Sequence, residues 1–116
     1  MGTLVQAGRT SEFKDGMMKD VLIQGHEILL ARIGDNYYAT DNRCPHMRGR
    51  LSEGKLEGTV VTCPRHGSRF DIRNGEVIRW LKGSGFLSRV GRVLKSPRQL
   101  ATYNVKVENG NILVEI

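Results

Sequence analysis

Residues 42–51 read NRCPHMRGRL, and residues 61–71 read VTCPRHGSRFD. The chain has two cysteines and three histidines, and both cysteines and two of the histidines fall inside these runs. Each run offers one thiolate and one imidazole: Cys44 with His46, then Cys63 with His66, with sixteen residues between the pairs. A hairpin joining two such loops can bring all four ligands around one metal site. A zinc ion would take them as a tetrahedral set of two sulfurs and two nitrogens. A [2Fe–2S] cluster would take both thiolates on one iron and both imidazoles on the other. On the ligands alone, both readings stay open.

At 116 residues the chain has room for a single domain, 1–116, with one ordinary core. Fourteen glycines, short β-branched runs and frequent turn clusters point to an all-β protein. Strand-like runs at Val21–Gln24, Ile28–Ile33 and Tyr37–Ala39 are broken at Gly25-His26 and at Gly34-Asp35-Asn36, the pattern of an antiparallel meander. Residues 58–63 read as a strand feeding the second Cys-His run. Residues 69–80 read as a hairpin turning at Asn74-Gly75, and 101–116 as a closing hairpin around Asn109-Gly110. One segment breaks the pattern: Phe86, Leu87, Val90, Val93 and Leu94 fall on one side of a helical wheel, opposite Ser88, Arg89, Arg92 and Lys95. Ser84 is placed to cap it and Pro97 to end it, so a short helix is expected near 85–95.

The formal charge of +6 is regional. Seven of the eighteen bases lie between Val77 and Val107 with no acid among them, and the other eleven nearly balance the twelve acids. A solvated helix face is the expected use of the basic segment 82–98, with partner docking second. Nucleic acid is disfavoured, because no aromatic platform interleaves these charges. No stretch approaches the roughly 20 apolar residues of a membrane-spanning helix. The opening MGTLVQAGRT has neither the basic start nor the apolar run of a secretory signal. A cytoplasmic location is therefore expected, where thiols stay reduced and the cysteines serve as ligands rather than as a disulfide. His26 lies in an expected surface turn, and Met47 suits loop packing better than ligation.

The flanks of the four ligands carry a further signal. CPHMRGRLSEGKLEG (44–58) and VVTCPRHGSRFDIRNGEV (60–77) resemble the two cluster loops of Rieske-type [2Fe–2S] ferredoxins, at Leu51 and Gly54 in the first, and at Pro64, Gly67, Phe70, Asp71 and Gly75 in the second. The ending LATYNVKVENGNILVEI resembles that family's closing strands. The resemblance implies an antiparallel β sandwich with an inserted cluster-binding subdomain, about residues 42–80. It implies one cluster per chain, with Cys44 and Cys63 on the inner iron and His46 and His66 on the outer. Two thiolates and two neutral imidazoles leave the oxidised site formally neutral and the reduced site at −1. Its potential then lies at roughly −150 to +300 mV, above the about −400 mV of four-thiolate plant-type clusters.

Departures from the family are equally informative. The extra cysteine pair of respiratory members is not found in this sequence and no membrane anchor is expected, so the chain resembles the soluble branch that supplies electrons to oxygenases. Ser68 stands where high-potential members have a hydrogen-bonding Ser, but Phe70 stands at their Tyr position, which implies a lower potential. Arg48 stands at a usual Gly position, with Gly49 one place later. The first loop's backbone is expected to differ there, since Arg avoids the positive φ that Gly accepts.

The implied function is single-electron carriage from a reductase to an oxygenase-type acceptor. Catalysis is not expected, because a mononuclear iron of two histidines and a carboxylate cannot be built when only His26 is left over. Alternatives are an electron-relay subunit of a larger oxidoreductase complex and a zinc-bound structural or interaction module. Arg43, Arg48, Arg50, Arg65 and Arg69 flank the two loops, which implies a partner with an acidic docking surface.

Overall fold

The protein's structure, a computed structural model, describes residues 2–44, 49–65, 67–79 and 99–116. The expected helix near 85–95 lies outside the described residues, as do His46, Met47, Arg48 and His66.

Among the described residues, eleven strands form three antiparallel sheets. In the first, β1 (Leu4–Arg9) and β10 (Val105–Glu108) flank β11 (Asn111–Glu115). The second runs β2 (Met18–Ile23), β3 (His26–Ile33), β4 (Asn36–Asp41) and β9 (Thr102–Tyr103) in spatial order. The third runs β5 (Lys55–Glu57), β6 (Val60–Thr62), β7 (Arg69–Asp71) and β8 (Val77–Arg79). Among the described residues the helical elements are two 3-10 turns, Thr10–Glu12 and Leu51–Glu53. The expected meander is present, with β2 and β3 joined through Gln24 (φ 50°) and Gly25 (φ 84°). The closing hairpin turns through Asn109 (φ 53°) and Gly110 (φ 77°), and two positive-φ residues match the right-handed twist of the strands they connect.

The organising element is β3. Its apolar run Ile28–Ala31 is fully buried, and successive side chains of a strand point to opposite faces. Ile28 and Leu30 join a core with Ile112 and Val114 of β11, against which Val5 and Ala7 of β1 also pack. Leu29 and Ala31 join a second core with Val61 of β6, Phe70 of β7 and Ile72. The middle sheet is thus covered on both faces, with the terminal strands on one side and the β5–β8 sheet on the other. Burying each large apolar side chain contributes about 1.5–3 kcal/mol, so both interfaces matter to stability.

The strand β1 was not legible in the sequence, and neither was the short β5. β1 pairs with β11 across nearly the whole chain, Leu4 opposite Glu115, and LVQAGR has no strong alternation to announce it.

Candidate functional site

Cys44 lies on the loop that leaves β4 of the second sheet and runs to the Leu51–Glu53 turn, and Cys63 on the loop between β6 and β7 of the third sheet. Cys44 and Cys63 are 0% and 1% exposed, and both belong to the core that holds Leu29, Leu51, Phe70 and Leu100. The structure places both expected cysteines in this one core. The histidines that follow each of them lie outside the described residues.

Each loop is closed by backbone hydrogen bonds. The amide of Cys44 donates to Gly49 O at 2.8 Å, and the amide of Cys63 donates to Ser68 O at 2.8 Å. Gly67, at φ 74°, donates to Cys63 O at 3.0 Å, which tightens the second loop directly behind its cysteine. Asn42 anchors the stem of the first loop. Its amide donates to Glu27 O (2.9 Å), its carbonyl accepts from Leu51 N (2.8 Å), and its side-chain Oδ1 accepts from Ser52 N (2.8 Å). Asn42 is fully buried and was not singled out from sequence; the available signal was an Asx-type residue positioned to bond a later turn.

Gly49 explains how the two loops fit. A Cβ built there would lie 2.9 Å from Cys63 Sγ and 2.9 Å from Arg65 Cγ. Its φ is outside the left-handed region, so glycine is needed here for room rather than for conformation.

Ser68 and Phe70 are both fully buried, Phe70 in the same core as the cysteines. Asp71, also buried, organises the turn after β7. Its carboxylate accepts from Arg73 Nη2 (2.8 Å), Nε (3.1 Å) and backbone N (3.0 Å). These hydrogen bonds hold its pKa below the ordinary aspartate value, outweighing the opposing effect of burial.

The arginines around the loops are less free than a sequence reading suggests. Arg43 donates to both carboxylate oxygens of Glu27, one contact being Nη2 to Oε1 at 3.1 Å, and this bond raises its pKa. Arg50 lies 3.9 Å from Asp20 and 3.9 Å from Glu53, and Arg69 lies 3.8 Å from Glu57. Arg65 is exposed and has no acidic partner among the described residues. His26 is exposed as expected but is the first residue of β3 rather than part of the turn, which Gln24 and Gly25 form; its ring lies edge-on to Tyr103 at 6.3 Å.

The donor set fits a [2Fe–2S] cluster on its sulfur side: one buried cysteine from each of two loops, in one apolar core, with a glycine making room at the second sulfur. The match to known proteins is consistent with this. Over 112 residues the chain is 30% identical to the ferredoxin component of the naphthalene 1,2-dioxygenase system of Pseudomonas putida, covering 97% of this chain and 94% of that one. Its structure is similar to the ferredoxin of carbazole 1,9a-dioxygenase from Nocardioides aromaticivorans IC177, with a TM-score of 0.79 at 27% identity, covering 97% of this chain and 96% of that chain. A chain in the complex of reduced oxygenase and oxidized ferredoxin in carbazole 1,9a-dioxygenase gives a TM-score of 0.77 at 28% identity, over 97% of this chain and 92% of that chain. Residues 3–103 match the Rieske [2Fe-2S] domain, a span that takes in both cysteine loops and every strand from β1 to β9, and the chain therefore belongs to the Rieske [2Fe–2S] family.

Proposed function

We propose that this chain is a one-electron carrier that holds one Rieske [2Fe–2S] cluster and passes electrons from a reductase to an oxygenase-type acceptor. The observation that carries the reading is the nearly end-to-end match to a dioxygenase-system ferredoxin component, in a chain whose two cysteines share one buried core. The cluster-binding part, about residues 42–80, is set into a single β domain. Cys44 and Cys63 would hold one iron as thiolates, and His46 and His66 the other as imidazoles. When bound, the cluster supplies a one-electron couple whose more reduced state carries one extra negative charge.

The chain's own residues prepare that couple. Gly49 O and Ser68 O fix the cysteine amides, so the sulfurs are held before any partner arrives. Leu51, Val61, Phe70 and Leu100 keep water from the sulfur side. Phe70 has no phenolic donor to stabilise added negative charge, which favours the lower part of the Rieske range. Ser68 is the residue proposed to offset this with its hydroxyl. A reducing compartment suits thiolate ligands, so the cytoplasm is the proposed location.

The partner is proposed to present an acidic surface to the loop arginines. Arg43, Arg50 and Arg69 share their charge with Glu27, Asp20, Glu53 and Glu57, so among the described loop arginines Arg65 is left to carry most of the attraction. Reduction by the donor should slow as salt rises from about 0.01 to 0.15 M, where the screening length falls from about 30 to 8 Å.

Metal analysis tests the central reading. Purified protein should hold two irons and two acid-labile sulfides, with a reduced paramagnetic resonance signal of low average g, as mixed nitrogen and sulfur ligation gives. Stoichiometric zinc in protein made with ample iron would overturn it.

A further inference from the structure

We infer that Arg65 is a non-covalent clasp between the two cysteine loops: its aliphatic stem, laid over Gly49, closes solvent off the Cys63 sulfur, while its guanidinium stays outside. The inference rests on the proposed ligation by Cys63. Atoms of the second loop converge on one backbone position of the first. A Cβ at Gly49 would meet Arg65 Cγ at 2.9 Å, Arg65 Cδ at 3.1 Å and Cys63 Sγ at 2.9 Å. The same residue's carbonyl accepts the Cys44 amide at 2.8 Å, so one glycine touches both cysteine positions and the Arg65 stem together.

Arg65 as a residue is exposed, yet Cys63, two positions earlier, is 1% exposed. A long cationic side chain can cover apolar surface with its methylenes and keep its head in water, and the contacts at Gly49 are with Cγ and Cδ. The head has no acidic partner among the described residues, in contrast to Arg43, Arg50 and Arg69. The stem and the charge are therefore expected to do different jobs. The stem controls water at a ligand sulfur, which bears on cluster lifetime and potential. The charge bears on the partner.

Charge-matched variants of the holoprotein separate these jobs. Arg65→Met keeps an unbranched apolar stem without the charge, whereas Arg65→Ala removes both. Under a chelator, the visible absorption of Arg65→Ala should bleach about tenfold faster than wild type, the scale on which supporting contacts at metal sites act, while Arg65→Met stays within about twofold. The reduction potential of Arg65→Ala should lie above that of Arg65→Met, because water reaching the sulfur stabilises the added negative charge. Both variants should lose the same part of the salt dependence, and both should keep the wild-type thermal midpoint. Gly49→Ala, which crowds the Cys63 sulfur and the stem together, should load poorly or bleach quickly.

Wild-type bleaching in Arg65→Ala, equal bleaching and potential in the two Arg65 variants, or a Gly49→Ala protein as durable as wild type would each overturn the clasp. If wild type proved to hold zinc, the electron-carrier reading would fail on its own, and the clasp would still be read as the rate of zinc release to a chelator from the same two Arg65 variants.

Discussion

On one face of β3, Ile28 and Leu30 meet Phe13, Ala39, Ile112 and Val114, and every member of that core is apolar. On the other face, Leu29 and Ala31 meet Leu51, Val61 and Phe70, and with them both cysteines. The first core is closed mainly by strands, whose ladders satisfy backbone groups by their regular geometry. The second is closed in part by loops and a 3-10 turn, so its backbone groups must find partners one at a time. That is why buried Asn42 and Ser68 are found in the segments around the second core. The same alternation that makes β3 a two-sided strand gives the site a rigid floor, because Leu29 and Ala31 cannot shift without moving Ile28 and Leu30. A site supported in this way is held by the scaffold rather than by its own loops.

The sharpest way to break the comparison is at the sulfurs. Cys44→Ser or Cys63→Ser should abolish the cluster, seen as loss of visible absorption and of bound iron. The β-type circular dichroism should survive, since β1–β4, β10 and β11 close around the other core. Loss of the strand signal together with the iron would mean that the two faces fold as one unit. A pair of truncations on β3 comes next. Leu29→Ala and Leu30→Ala should each cost about 2–5 kcal/mol in denaturant unfolding, the range for large-to-small changes in a buried core. Only Leu29→Ala should hasten cluster bleaching, because Leu29 shares its core with the cysteines and Leu30 does not. Equal bleaching would erase the distinction between the faces.

The two faces were not equally legible in the sequence. The ligand pairs, the meander and the Asn109-Gly110 hairpin could be read because each is local: a two-residue turn with positive φ, or a cysteine a few residues from a histidine. The four-residue apolar run Ile28–Ala31 also carried the signature of a strand buried on both sides. What could not be read depends on contacts across long separations. Glu27 neutralises Arg43 sixteen residues later, and Gly49 is small because Cys63 and Arg65 approach it from another loop. Gly75 belongs to both groups. Its φ of 78° suits the turn foreseen at Asn74-Gly75, but a Cβ there would also lie 1.9 Å from the carbonyl oxygen of Leu100, a close approach that no local pattern announces.

The smaller predictions set the two faces at opposite ends of the pH scale. On the cluster side, Asp71 is held below its ordinary pKa of 3.8 by hydrogen bonds from Arg73. The unfolded chain therefore takes up the proton first, so the stability this pair contributes is present above the ordinary value and is lost as pH falls through the depressed one. Asp71→Asn should cost about 1–2 kcal/mol at neutral pH, a modest figure because Arg73 is half exposed, and should flatten the acid limb of the stability profile. An acid limb of unchanged steepness would place the relevant carboxylate elsewhere.

On the other side, burial first, and then the 2.5 Å hydrogen bond that Tyr103 donates to Asp41, push the phenol from 10.0 up to about 12. The sign is reversed here. The unfolded chain loses its phenolic proton first, so the contribution is complete below pH 10.0 and disappears as pH rises through about 12. Tyr103 packs against the apolar core of Ile28 and Leu30, so its ionisation should loosen that face and leave the sulfur side intact. Tyr103→Phe should cost only about 0.5–1.5 kcal/mol near neutrality, the net value of one hydrogen bond, and should remove the alkaline decline that wild type shows over this window. The measurement is denaturant unfolding at stepped alkaline pH, with cluster absorption followed in parallel. Cluster loss that tracks Tyr103 ionisation, before the strand signal falls, would show that the two cores are coupled through β3 and that the separation of faces is structural only.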